Sequence, residues 1–453
     1  MSYDPSGPVQ QTKEIGSTFC KKLLIETAMN ESNHITRSRH LSRVVVTGYG
    51  CVTPLGNNAE DCWESIVNYS CGYHYIEPED KMITARFFGK VSIDNNCFKV
   101  IPVTVRRVLP QFAKYAVFSA QEALRMAFGQ QTPTEYYRDV ECGVIIGTGW
   151  GGLDEAYGLY DRYCEGGLGS PLGSLITMPN VATAACSLLW NLRGYQNTPI
   201  AACATGSIAI GDAFEVIRSG RAKMMLAGGA EALNSLNNIW NIDVLQALSK
   251  EQHNIEKACC PFSQERSGFV LSEGSAVLCL EDMESALTRG AHIIGEITGY
   301  GSYSDARDFT APAEDMISRV QSIQTALIDA GKTAEHVDYI NAHGTSTPLN
   351  DFNESASIKM ALKADAYRIP ISSTKSYSGH LIAAAGSFET ILCLKIIETG
   401  MVPATIHLNN PDPHCDLDYV PNTHRWKQVD VALNLSFGFG GANAALVVER
   451  FAP

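Results

Sequence analysis

Short apolar runs alternate with longer amphipathic stretches along most of the chain, and this alternation sets the expected elements. Arg43-Val-Val-Val-Thr-Gly-Tyr-Gly50 reads as a buried strand followed by a glycine-rich turn. Residues 111–128 repeat their apolar positions at helical spacing. Residues 143–147, the stretch around Cys203 and residues 224–230 continue a strand–helix alternation, and 276–281 closes a first half. A second half restarts at 292–301. It runs through a helix at 318–330, a strand at 339–342, a helix at 350–362 and a strand at 371–373. A helix is expected from near His380 to about Glu398, and strands at 431–435 and 444–448 finish the chain. The alternation predicts an α/β fold with buried, largely parallel sheets. A weak internal symmetry supports two similar halves, 43–291 and 292–453. In each, a strand leads to a reactive residue near a helix start, Cys203 in the first and His380 in the second. Residues 1–42 form a polar N-terminal extension, a flexible tail or a short arm packed on the body, with a docking segment as the alternative. Phe19, Leu23, Leu24 and Met29 approximate a helical stripe within it.

Composition narrows the class. With 45% hydrophobic and 18% charged residues in 453, the chain fits a globular enzyme of one large or two medium domains. A net charge of −13 argues against general nucleic-acid binding, but leaves room for a local basic patch facing an acidic protein. The 14 cysteines are scattered, with no CxxC pair or Cys/His spacing of a zinc site, so no metal is expected and reduced thiols in the cytoplasm are. Adjacent Cys259 and Cys260 are buried or merely exposed thiols, with redox sensitivity as the alternative. No apolar run reaches the roughly 18 residues of a membrane span, and no signal-peptide pattern opens the chain.

The chemistry concentrates at Cys203, in Pro199-Ile-Ala-Ala-Cys-Ala-Thr-Gly206. A strand, a sharp turn and a helix opening beside the cysteine would aim free backbone N–H groups and the positive end of the helix dipole at its sulfur. That setting predicts a thiol pKa lowered from about 8.5 towards roughly 7, hence a nucleophilic thiolate. Two histidines, in Asn341-Ala-His-Gly-Thr-Ser-Thr-Pro348 and Ser373-Thr-Lys-Ser-Tyr-Ser-Gly-His380, sit beside glycine in loops after short apolar strands. As neutral imidazoles, His343 and His380 would donate Nε2–H to an enolate oxygen.

With Asn434-Leu-Ser-Phe-Gly-Phe-Gly-Gly-Ala-Asn443, these motifs stand in the order and at the spacing of a known family. From about Arg43 to about Arg450 the chain resembles the β-ketoacyl-acyl-carrier-protein synthases of the elongating, thiolase-fold type. The resemblance implies a layered αβαβα fold whose halves share one topology. It implies a decarboxylative Claisen condensation of an acyl group on Cys203 with malonyl-acyl-carrier-protein, giving 3-oxoacyl-acyl-carrier-protein in fatty-acid or polyketide and polyene-type synthesis. No cofactor is implied beyond the phosphopantetheine that the carrier brings. A homodimer is implied, with a heterodimer alongside a ketosynthase-like partner as the alternative.

Residue roles follow from the same resemblance. Lys375 is the buried lysine near the second histidine, and Glu389 its carboxylate partner. The Phe439 and Cys203 N–H groups bind the thioester oxygen, and the Phe439 ring gates the acyl pocket. Phe437 and Ile242 belong to the substrate-binding set. Thr345, Thr347 and Thr310 bond the pantetheine arm, or are ordinary loop threonines. Arg106, Arg107 and Lys114 dock an acidic carrier, or form a solvated face. Apart from the resemblance, Asp351 and Glu354 on one helix face would hold a structural cation, with capping and surface charge as equal alternatives. Trp150 departs from the family, which usually has a small or medium aliphatic residue there. An indole lining the acyl tunnel would restrict it to short, or flat and unsaturated, chains, unless it is a core residue turned away.

Gly147-Thr-Gly-Trp-Gly-Gly152 matches a dinucleotide fingerprint but lacks the acidic residue about 20 positions later, so nucleotide binding is not expected. Phe437-Gly-Phe-Gly-Gly441 lacks the Lys-Ser/Thr of a phosphate loop. Two rival functions are set aside. A degradative thiolase would carry a second catalytic cysteine where this chain has histidine, and a non-catalytic partner subunit would lack Cys203.

Overall fold

The computed structural model describes residues 41–453, so the N-terminal extension expected over residues 1–42, with its helical stripe, lies almost entirely outside the described residues. The first half contains strands β1 (Val44–Val52), β2 (Cys142–Gly147), β3 (Gln196–Asn197), β4 (Met224–Glu231) and β5 (Gly274–Asp282), with helices α1 (Gln111–Phe128), α2 (Val181–Trp190) and α3 (Thr205–Arg218). The second half contains β6 (Gly295–Ser304), β7 (Tyr339–Asn341), β8 (Ile371–Ser372), β9 (Val431–Gly438) and β10 (Ala442–Glu449), with α4 (Ile317–Asp329), α5 (Pro348–Leu362) and α6 (Ala385–Thr399). These principal elements follow one order in both halves, and the first half carries additional helices, among them Ala59–Val67, Leu153–Cys164 and Leu236–Asp243.

These ten strands form one sheet, in the order β8-β7-β9-β10-β6-β1-β5-β4-β2-β3, and the remaining described strands form two small sheets of two and three strands. Read outwards from the join, each half runs first strand, fifth, fourth, second, third. The halves meet through their first strands, antiparallel, with Val44 opposite Ile297. In both halves the second strand pairs parallel with the third and fourth, and the fifth pairs antiparallel with the fourth and first. Five of the nine ladders are antiparallel, so the sheet is mixed, not largely parallel. The β9–β10 connection shows the reason. It is too short for a crossover, and a hairpin can only be antiparallel.

Side chains alternate between cores along each strand. Ile145, Ala227 and Leu278 join the central core with α3 and α6, whereas Val144, Ile146, Leu226 and Val277 join an outer core under α1 and α2. In the second half Ala432 and Leu446 face the centre, and Leu433, Ala445 and Val447 face an outer core with α4 and α5. The result is the layered αβαβα arrangement. The central helices have sheet on both sides. Accordingly, α6 is buried at every residue from Ala385 to Ile397 and has no polar face. Helix α1 is amphipathic instead, burying Phe112, Tyr115, Ala116, Ala123 and Leu124 on one face, and it ends at Gly129. Thr347 caps α5 by accepting the Asn350 N–H, ahead of Pro348 in its first turn.

The helix expected from His380 begins only at Ala385, after a single 3-10 turn, Ile382–Ala384. His380 is held in extended backbone instead. Its N–H donates to the Val270 carbonyl at 2.8 Å, and its own carbonyl accepts the Ser272 N–H at 3.0 Å. This also corrects the internal symmetry. Ala202–Ala204 and Ile382–Ala384 are equivalent 3-10 turns before α3 and α6, and each opens on a left-handed residue, Ala202 at φ 46° and Ile382 at φ 51°. The counterpart of Cys203 is therefore Ala383.

Candidate active site

Cys203 occupies the middle of the strained turn ahead of α3. The left-handed Ala202 costs of order 1–3 kcal/mol and persists because its surroundings fix it. Thr205 Oγ1 accepts the Ala201 N–H at 2.8 Å and closes the turn. Gly438, at the end of β9, passes directly over it. A Cβ there would lie 2.6 Å from the Ala201 carbonyl and 3.2 Å from the Cys203 nitrogen. This close approach brings the Phe439 N–H to the sulfur, beside that of Cys203 itself.

The second half supplies both histidines. His343 follows β7, and its loop is pinned from behind by Glu354 on α5. The Glu354 carboxylate accepts the His343 N–H at 2.7 Å and the Gly344 N–H at 2.8 Å. The His343 and His380 rings meet edge to face, 5.4 Å between centroids, and Phe269 packs on His380 at 5.1 Å. The Cys203 sulfur and one ring nitrogen from each histidine lie within 4.8 Å of one another. All three residues line a cavity of about 350 Å³ with Phe437, Phe439 and Arg319.

The hydrogen bonds assign the tautomers. His380 Nδ1 accepts the Ile382 N–H at 3.2 Å, so the ring proton is on Nε2, which has no other partner among the described residues. His343 Nδ1 faces the Lys375 ammonium at 3.4 Å, which likewise leaves its proton on Nε2. Lys375 thus contacts the first histidine directly, while its charge also acts on the second, near which the resemblance placed it. Its Nζ also pairs with Glu389 at 2.5 Å, both side chains being buried. Burial, then the Lys375 charge, holds both imidazoles well below their usual pKa range. Both are therefore neutral donors at physiological pH.

The thiol behaves otherwise than expected. Burial pushes Cys203 up to about 11, against the pull of Lys375 and of the two backbone N–H groups, while Glu231 adds to the rise. Desolvation outweighs these attractions, and the resting group is a thiol.

Thr345, Thr347 and Thr310 line the same cavity, and the first two hydroxyls lie 2.9 Å apart. Phe437 is buried, with its ring 5.9 Å from that of His343. Trp150 and Ile242 are not among the cavity-lining residues. They pack with Ile382 in an apolar cluster that shares Phe269 with the cavity wall. Arg107 is exposed, Arg106 and Lys114 are half-buried, and none of the three lines the cavity. Asp351 and Glu354 are fully buried, so a surface-charge role is excluded. Asp351 accepts the Phe262 N–H at 2.9 Å. Cys259 and Cys260 are buried. The glycine-rich turn after β2 is filled from within, because Glu231 accepts the Gly149 N–H at 2.7 Å and occupies the place of a phosphate. Glu231, Glu354 as a loop anchor, Phe269 and Arg319 went unnoticed in the sequence. Of these, only Glu354 had a signal, as an acid one helical turn beyond Asn350.

The N-terminal domain of the β-ketoacyl synthase family matches residues 41–286 and its C-terminal domain residues 294–409. The 3-oxoacyl-[acyl-carrier-protein] synthase 2 of Synechocystis sp. is 41% identical over 416 residues, 90% of this chain and 98% of that protein. The enzyme of that name from Staphylococcus aureus is 37% identical over 414 residues, again 90% and 98%. Among solved structures, a type II polyketide ketosynthase in complex with its acyl-carrier protein superimposes with a TM-score of 0.83 at 34% identity, covering 91% of this chain and 100% of that one. The ishigamide ketosynthase/chain length factor gives 0.82 at 29%, with the same coverage. With both family domains matched in order, and relatives aligned over nearly their whole length, the chain belongs to the β-ketoacyl synthase family.

Proposed function

We propose that this protein condenses an acyl group held on Cys203 with malonyl-acyl-carrier-protein, releasing CO2 and 3-oxoacyl-acyl-carrier-protein. One observation carries the reading. A thiol and two neutral imidazoles, from opposite halves of the fold, converge within 4.8 Å beside two backbone N–H donors. In acyl transfer the Cys203 sulfur attacks the incoming thioester, and its proton ends on the departing pantetheine thiol. In the second half-reaction the extender loses CO2, and the bonding electron pair moves onto an enolate whose oxygen accepts Nε2–H from His343 and His380. Preorganised donors of this kind are typically worth about 3 kcal/mol each. The enolate carbon then attacks the acyl carbonyl, whose oxygen takes the N–H groups of Phe439 and Cys203. The carbon–sulfur bond breaks, its electron pair leaves as the Cys203 thiolate, and a proton from solvent restores the thiol.

Thr310, Thr345 and Thr347, at the cavity wall, are the hydroxyls available to the pantetheine arm, and the carrier brings that group. Arg106, Arg107 and Lys114 offer positive charge to an acidic carrier. The unpaired edge strand β3 and the exposed residues around it suit a second ketosynthase subunit, most simply a copy of this chain. Every described cysteine is free, which fits a reducing cytoplasm, and no described helix is long and apolar enough to cross a membrane.

Mass spectrometry of Cys203 after incubation with a panel of acyl-carrier-proteins tests the reading. An acyl adduct is expected on the wild type and none on Cys203→Ser. A wild type that takes no acyl group from any carrier would rule the reaction out. The same panel tests the chain-length proposal, since Trp150 packs against the apolar cluster that shares Phe269 with the cavity wall. Trp150→Ala should shift the adducts towards longer chains, and an unchanged profile means that the indole does not limit them.

A further inference from the structure

Arg319, on α4, is 5% exposed and lines the cavity with Cys203 and His343. Its guanidinium carbon lies 4.2 Å from the centroid of the Phe437 ring, which also packs against the His343 imidazole. Neither Nε nor Nη1 has a hydrogen-bond acceptor among the described residues. A buried guanidinium without a partner is costly, and the described residues do not supply one. The three carboxylates nearest in charge are engaged elsewhere. Glu354 holds the His343 loop, and Asp351 accepts the Phe262 N–H. Asp305 accepts from Asn443 at 2.7 Å and from the Ala313 N–H at 3.2 Å. Burial lowers the Arg319 pKa only to about 10, so the group is a cation at neutral pH.

We propose that Arg319 is the recognition site for the free carboxylate of the extender thioester. The inference rests on the function proposed above and adds to it how the second substrate is told from the first. Acyl groups that load Cys203 are uncharged at their far end, whereas the extender carries a carboxylate one carbon beyond its thioester. A planar guanidinium can take that carboxylate by two parallel hydrogen bonds and fix its direction relative to the carbonyl. Decarboxylation does not strand the cation. The bond between the methylene carbon and the carboxylate breaks, CO2 leaves neutral, and the negative charge stays in the cavity on the enolate. Arg319 therefore attracts the charge before and after the step, while the imidazoles bind only the oxygen on which it develops.

The test separates the two half-reactions. For Arg319→Met, the KM for malonyl-carrier should rise about tenfold or more, with partial recovery in Arg319→Lys, while the acyl adduct still forms on Cys203. An unchanged KM, or loading and condensation falling together, overturns the proposal. Should Arg319→Met not fold, the wild type decides through competitive inhibition by malonyl-carrier and by its carboxamide analogue. The carboxamide should bind about tenfold more weakly, since it lacks the charge, and equal inhibition overturns the proposal. A wild type that condenses while Arg319→Met keeps its KM sinks this inference alone. A wild type that never loads Cys203 sinks the parent reading with it.

Discussion

At Cys203 three attractions, from one ammonium and two N–H groups, lose to the desolvation of a buried sulfur, and the thiol titrates near 11. A raised acid stays protonated below its pKa, so the thiolate fraction climbs with pH throughout the neutral range. Alkylation of Cys203 by iodoacetamide, followed by mass spectrometry, should accelerate about tenfold per pH unit from 7 to 9, because only the thiolate reacts. A rate already level at pH 7 would mean a resting thiolate. The same shift acts on stability. The unfolded thiol ionises near 8.5 and the folded one near 11, so this contribution is present below about 8.5 and is lost as pH rises towards 11. Cys203, His343 and His380 were legible because glycines and small residues frame each in a characteristic run. The thiol's protonation state was not, since burial is a property of the folded surroundings. Nor was the contact of Lys375 with His343, because Lys375 stands only five positions before His380 and reaches across to another strand's loop.

At the scale of elements, the site depends on how α3 crosses α6. At Gly206 a Cβ would lie 2.7 Å from the Ser387 nitrogen and 2.8 Å from the Ala383 carbonyl, both backbone atoms that cannot turn aside. Gly206→Ala should therefore destabilise the fold by about 1–3 kcal/mol, the usual range for overpacking a tight core. It should also slow acyl loading, since Cys203 is three residues away. Urea unfolding gives the first quantity and adduct formation the second, and an unchanged midpoint would show that the helices separate freely. Most elements were visible in the sequence, α1 and α4 through their amphipathic period and β1 and β5 as continuous apolar runs. The start of α6 was not. Its sequence is uniformly buried, so no polar face marks where the helix begins, and the extended pairing of His380 with residues 270–272 is a long-range contact. The mixed sheet was obscured for a related reason. Strands buried on both faces read alike whether their neighbours run parallel or antiparallel.

Across the whole molecule the two halves repeat one topology, yet their outer edges differ. The outermost strand of the second half, β8, is buried. That of the first half, β3, is exposed and offers unpaired N–H and C=O groups. Leu188 on α2 is 70% exposed and Ile200, just beyond β3, is 57% exposed, so apolar surface flanks the open edge in sequence on both sides. An exposed strand edge beside apolar side chains is a template for pairing, and folded proteins usually cover one. In the homodimer proposed above, the same edge of a second copy would cover it, approached antiparallel about a two-fold axis so that each Gln196–Asn197 strand meets its counterpart. The Cys203 turn begins only a few residues after this strand, so in that dimer the contact would help to hold the nucleophile. Sedimentation equilibrium should give twice the chain mass at micromolar concentration. Leu188→Glu should shift the protein towards monomer by placing charge in the contact, and should lower acyl loading with it. A wild-type monomer that loads Cys203 fully would show that the edge is tolerated bare and that the nucleophile turn is held from within one chain.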